Sequence, residues 1–196
     1  MAKVLIQFAH PTLSKSNVQK TLEKYAREVK GVTFNDLYEH YPDLFIDVKR
    51  EQQLLAKHDI IIFQHPFYWY SSPPILKQWQ DLVLEYNWAY GPKGHALKGK
   101  KIFNAVSCGG GRDAYTPAGY NRFSVGQYLL PFNQTAYLCR MDYLPPFVVH
   151  ETYTIEDYTL NACGEQYAEL LDALVNDRID PAELAGVEYL NELFPH

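Results

Sequence analysis

The chain has 196 residues, with 18 Lys plus Arg against 23 Asp plus Glu, a net charge of −5 with His neutral. A mildly acidic balance excludes a nucleic-acid binder whose affinity comes from phosphate contacts, and 47% hydrophobic with 21% charged residues excludes intrinsic disorder. The length suits one domain, residues 1–196, able to bury roughly 70% of its unfolded surface without a metal or disulfide staple.

Val4 to Ala9 is a short continuous apolar run and reads as a first strand buried on both faces. Val18, Leu22, Tyr25, Ala26 and Val29 then fall on one helical face, with Ser16 placed as N-cap and Gly31 placed to end the helix. Val32 to Leu37 is a second strand, and the polar stretch Val48 to His58 reads as a short surface helix. Asp59 to Gln64 is the clearest buried strand. Pro73 and Pro74 suit the first turn of a following helix that carries Ile75, Leu76, Trp79, Leu82, Val83 and Tyr86 on one face. Lys101 to Ser107 is a fourth strand. Ser124 to Arg140 reads as a helix that Pro131 interrupts or restarts. Tyr143 to His150 is a fifth strand, entered through two prolines. Leu160, Cys163, Tyr167, Leu170, Leu171 and Leu174 mark an amphipathic C-terminal helix, and residues 177–196 form a weaker tail. Strands alternating with helices imply a doubly wound α/β fold, a five-stranded parallel sheet of order 2-1-3-4-5 with helices on both faces.

Cys108, Cys139 and Cys163 are widely spaced and include no CxxC pair, which fits a reducing compartment rather than a disulfide framework. The run at Val4 is too short for a signal-peptide core, and no segment approaches the ~18 apolar residues of a membrane helix. The expectation is a soluble, cytoplasmic protein.

In this architecture ligands sit outside the carboxyl ends of the strands, so the loops after strands 1, 3 and 4 carry the argument. After strand 1, His10, Ser14, Ser16 and Asn17 precede a helix N-terminus, which offers free N–H groups and partial positive charge to a phosphate. A plain capping segment is the alternative. After strand 3, Phe67, Tyr68, Trp69 and Tyr70 are consecutive aromatics beside two prolines, a wall for a flat ring or a packing cluster at a subunit contact. After strand 4, Gly109, Gly110 and Gly111 let backbone N–H groups approach a ligand, and Tyr115 adds a hydroxyl. Arg112 in this loop either meets a 2′-phosphate or is solvated. A rival arrangement has His10, His65, Cys108 and His150 converge on zinc, without any HxxxH or CxxC pairing to support it.

The segments AHPTLSKSN, DLYEHYPDLFIDVKREQQLL, QHPFYWYSSPPILKQWQD, CGGGRDAYTPAGYNR and CRMDYLPPF, in this order, resemble the flavodoxin-like NAD(P)H:quinone oxidoreductases. DLYEHYPDLFIDVKREQ with QHPFYWYSSPP resembles most closely the ancillary subunits of the glutathione-gated Kef potassium-efflux systems. The resemblance reaches about residue 175. It implies a flavodoxin-like sheet, non-covalent FMN (FAD-binding members being longer at the C-terminus), NAD(P)H as donor, a homodimer, and two-electron ping-pong hydride transfer through flavin N5 to a quinone. It places His10, Ser16, Asn17 and Val18 at the phosphate and ribityl side and Pro66, Phe67, Tyr68, Trp69 and Tyr70 along the ring. Ser107, Cys108, Gly109 and Gly110 fall at the pyrimidine edge, with Tyr115 over the flavin. Gly109, Gly110 and Tyr115 would meet developing charge. Asn121 stands where longer relatives have histidine, and Asn cannot take up a proton near pH 7. A regulatory subunit of a Kef-type transporter at the inner face of the membrane, with secondary oxidoreductase activity, is the second implied function. A one-electron carrier of flavodoxin type is a third.

Overall fold

In the computed structural model, which describes residues 1–184 and 186–195, the parallel sheet runs β2-β1-β3-β4-β5, with a short further strand, β6, also paired to β4. The strands are β1 (Val4–Phe8), β2 (Val32–Asp36), β3 (Ile60–Pro66), β4 (Lys101–Ser107), β5 (Asp142–Tyr143) and β6 (Phe147–Val149). Registers such as Ile6 beside Phe34 and Ile62, and Ile62 beside Phe103, set the carboxyl ends of β1, β3 and β4 level along one edge.

Side-chain alternation divides the core in two. Val4, Ile6, Phe8, Ile60, Ile62 and Phe103 face one side, where α1 (Asn17–Glu28) and α7 (Asp157–Val175) pack. Leu5, Ile61, Phe63, Ile102 and Val106 face the other. That second side is covered by α2 (Leu37–His40), α3 (Val48–Lys57), α4 (Pro74–Val83), α5 (Val125–Tyr128) and α6 (Leu130–Leu138).

The helix ends follow their capping chemistry. Ser16 Oγ accepts from Gln19 N at 3.2 Å to start α1, and Asp47 Oδ1 accepts from Arg50 N at 3.0 Å to start α3. Gly31 turns the chain into β2 at φ +91°, a left-handed conformation open to glycine.

Two sequence expectations are revised, at the fifth strand and on α4. The fifth strand is two short ones, because Pro145 and Pro146 cannot donate to the ladder. As expected from Pro131, the helix from Ser124 is interrupted: it breaks at Leu129 and restarts as α6 with Pro131 in its first turn. Leu82 and Tyr86 do not join the buried face of α4: the helix stops at Val83 and both side chains are exposed. The tail, over its described length, packs on its own domain. Tyr189 and Leu190 are buried, Leu190 N donates to Pro146 O at 2.9 Å, and Asn191 Oδ1 accepts from Val148 N at 2.8 Å. His196, at its end, lies outside the described residues.

Candidate functional site

Two adjoining clefts open at the carboxyl edge of the sheet and share Phe67, Gly109 and Tyr153. The first, about 160 Å³, is lined at one end by His10, Lys15, Ser16, Asn17 and Val18 and at the other by Pro66, Phe67, Tyr68 and Ser107. The second, about 350 Å³ and more open, is lined by Trp69, Tyr70, Gly110, Tyr115, Tyr120 and Asn121.

The first end is rich in donors. A helix leaves its first-turn N–H groups without intrahelical acceptors; Ser16 caps that of Gln19, leaving those of Asn17 and Val18 at the cleft. The helix dipole and Lys15 add positive charge. His10 is buried and its pKa is lowered by desolvation, so the ring is neutral near pH 7. Its Nδ1 accepts from Thr12 N at 3.1 Å, which puts the ring proton on Nε2 and makes His10 a donor as well.

The aromatic loop is a strained turn. Ser71 N donates to Tyr68 O at 2.9 Å, and the two residues between, Trp69 and Tyr70, have φ +48° and +64°. Left-handed conformation in a bulky residue costs roughly 1–2 kcal/mol each. Packing holds the turn: Tyr70 stacks on Tyr128 at 4.8 Å, and Phe67 meets Tyr70, Tyr115 and Tyr128 at 5.8–6.3 Å. The turn carries Trp69 into solvent, 93% exposed.

In the glycine loop, a Cβ on Gly109 would lie 2.5 Å from the Tyr153 ring, so glycine keeps the floor between the clefts low. Among the described residues no protein acceptor takes the N–H of Gly109 or Gly110. Cys108 is different and corrects an expectation. It lines neither cleft, it is fully buried, and its N–H is used by Val149 O at 2.8 Å. Burial pushes its thiol up to about 12. Burial also raises Tyr115 well above its ordinary value, and the Cys108 thiol beside its hydroxyl adds to this. Asn121 is fixed at the rim: its side-chain oxygen accepts from Tyr70 at 3.3 Å and its carbonyl from Tyr128 at 2.6 Å.

Arg112 is a surface residue, more than half exposed, and its charge is already paired. Its Nη2 is 2.7 Å from both Glu188 and Glu192 of the tail, and its guanidinium lies 4.8 Å over Tyr189. The zinc arrangement does not assemble: among the described residues no three His, Cys, Asp or Glu side chains gather as ligands. His65 is instead an interior residue, bonded to Pro66 O and Asn104 Nδ2. Lys15, Thr152 and Tyr153 line the first cleft without having been singled out from sequence. The loop after the last strand also opens at the carboxyl edge, and that rule applied once more would have found Thr152 and Tyr153.

The chain matches the Flavodoxin_2 family, a flavodoxin-like fold, over residues 2–171. It is 42% identical over 169 residues to the glutathione-regulated potassium-efflux system ancillary protein KefG of Pectobacterium carotovorum, covering 86% of this chain and 92% of that protein. Among solved structures, general stress protein 14 of Treponema denticola in complex with FMN superposes with a TM-score of 0.84 at 44% identity, over 88% of this chain and 99% of that one. A NADPH-quinone reductase from P. pentosaceus superposes with a TM-score of 0.78 at 32% identity, over 85% and 96%. With its sheet order and the family match covering most of its length, the chain belongs to the flavodoxin-like Flavodoxin_2 family.

Proposed function

We propose that the protein is an FMN-dependent NAD(P)H:quinone oxidoreductase working by ping-pong hydride transfer. One observation carries the reading: a donor-rich helix N-terminus, an aromatic loop and the glycines Gly109 and Gly110 line adjoining clefts at the carboxyl edge of one parallel sheet. The donor chemistry fits a flavin mononucleotide. His10, Lys15, Ser16 and the Asn17 and Val18 N–H groups suit a phosphate, and Pro66, Phe67, Tyr68, Trp69 and Tyr70 suit a flat ring. Bound FMN supplies the hydride chemistry between nicotinamide and acceptor. Gly109 and Gly110 direct N–H groups at the ring edge. Tyr115 keeps its proton at working pH, because burial raises its pKa, and so serves as a donor beside them. Asn121 orients the rim through Tyr70 and Tyr128 and moves no proton. The solved relatives named for FMN and for NADPH-quinone reductase activity support this reading.

Steady-state rates with NADPH and a quinone varied together should give parallel double-reciprocal lines. Tyr115→Phe should lower kcat roughly tenfold with FMN retained. Intersecting lines would refute the ping-pong order, and an unchanged rate would remove Tyr115 from the chemistry.

The KefG relative favours a second reading, regulation of a membrane potassium-efflux transporter with the oxidoreductase activity secondary. No described helix is long and apolar enough to cross a membrane. Co-purification with a Kef-type transporter would support this second reading. In either reading a homodimer is proposed, with exposed Trp69, Tyr120 and Tyr153 around the clefts available to a second copy.

A further inference from the structure

Four polar side chains run in a line from the C-terminal helix to the first cleft. Tyr167 of α7, Gln64 of β3 and Gln19 of α1 are fully buried, and Ser107 at the end of β4 is open only on its cleft side. The Tyr167 hydroxyl donates to Gln64 Oε1 at 3.0 Å, Gln64 Nε2 donates to Gln19 Oε1 at 3.0 Å, and Gln19 Nε2 donates to Ser107 Oγ at 2.9 Å.

An amide turned end for end would fit the same positions, so the direction of the line has to be set at one of its ends. Tyr167 sets it. Its ring packs on Phe147 at 4.9 Å within the apolar face formed by β1, β3 and β4. Among the described residues Gln64 is the sole hydrogen-bond partner of its hydroxyl. Were that hydroxyl to accept instead, its proton would be buried without a partner. Burial also raises Tyr167 far above its ordinary value, so the hydroxyl holds its proton at every working pH. With Tyr167 donating, each amide has one orientation and Ser107 receives from Gln19. The Ser107 proton is left for the cleft.

We propose that Tyr167, Gln64 and Gln19 are positioning residues that fix Ser107 as a hydrogen-bond donor into the cleft, so that the ligand must present an acceptor atom there. The inference deepens the flavin reading and takes FMN as the ligand. It also gives a reason for three uncharged polar residues in the middle of an apolar layer, where Leu or Phe would pack at no desolvation cost.

The test is a double-mutant cycle on FMN binding. Tyr167→Phe deletes one oxygen and leaves the packing in place. Tyr167→Phe and Ser107→Ala should each raise the FMN dissociation constant about five- to tenfold, the scale of one hydrogen bond. The double variant should bind no more weakly than Ser107→Ala alone, because no donor is left to orient. Losses that multiply in the double variant would overturn the relay. A second readout uses the free protein. Tyr167→Phe should shift the side-chain amide resonances of both Gln64 and Gln19 in ¹H–¹⁵N spectra; a shift confined to Gln64 would overturn it. Failure of the unsubstituted protein to bind FMN would sink the flavin reading alone, and the resonances would still decide the relay.

Discussion

His65 lies wholly inside the sheet, accepting from Asn104 Nδ2 at 3.0 Å and donating from Nδ1 to Pro66 O at 2.9 Å. Tyr143 in turn donates to Asn104 Oδ1 at 2.6 Å, so a second buried chain ends on the carbonyl of Pro66, at the cleft. Burial lowers the His65 pKa from 6.5 to about 4, despite the favourable bond to Pro66. The unfolded chain therefore binds more protons than the folded one between these values, and stability falls as pH drops from 6.5 towards 4. A shift of this size is worth about 3 kcal/mol. Burial lowers His10 and His150 in the same direction, whereas it raises the Asp36 carboxyl, which favours the folded state in acid. Urea unfolding from pH 7 to 4.5 should show this loss, and His65→Gln should flatten it. An unchanged slope would mean that His65 is charged, or solvated, inside the fold. In the sequence His65 figures only in the rival zinc arrangement, as one of four residues at strand ends, and the proline after it argues for an extended backbone instead. Nothing in the chain's pattern showed its buried partner Asn104 of β4, or Tyr143 of β5 behind Asn104.

Among the elements, those with strong periodicity were legible in advance, and those that depend on distant partners were not. The bounds of α1 followed from Ser16 and the spacing of Val18, Leu22 and Ala26. The α3 helix was legible as a surface helix, but the burial of Glu51 on it was not. Its carboxylate accepts from Gln7, Tyr41 and Trp79 at 2.8–2.9 Å and is paired with Arg50. A charged residue in a polar run gives no sign of such a site, because its partners lie up to 44 positions away. The tail was equally opaque. It joins the glycine loop through Arg112, and its Asn191 and Phe194 carbonyls receive Gln166 Nε2 of α7. These ion pairs are about half exposed, so each contributes at most about 1 kcal/mol and is screened by salt. The double variant Glu188→Gln, Glu192→Gln should raise hydrogen exchange in the 108–115 loop severalfold at low salt. Exchange in the unsubstituted protein should approach that level in 1 M salt. An unaltered loop would show that Tyr189 packing alone holds the tail.

For the whole molecule, the parallel sheet has one consequence that local detail does not: every carboxyl-end loop opens on the same edge. That is why residues as far apart in sequence as His10, Phe67, Ser107 and Tyr153 line one cleft, and why the loops after strands 1, 3 and 4 could be nominated in advance. Cys108 escaped this logic, since a residue can follow a strand and still turn inward. The absorbance spectrum of the purified protein, recorded before and after NADPH is added under nitrogen, tests the central claim most directly. An FMN-dependent reductase shows flavin bands that bleach on NADPH addition and return when a quinone follows. A protein that stays colourless after incubation with FMN would contradict the claim and leave the aromatic loop as a packing surface.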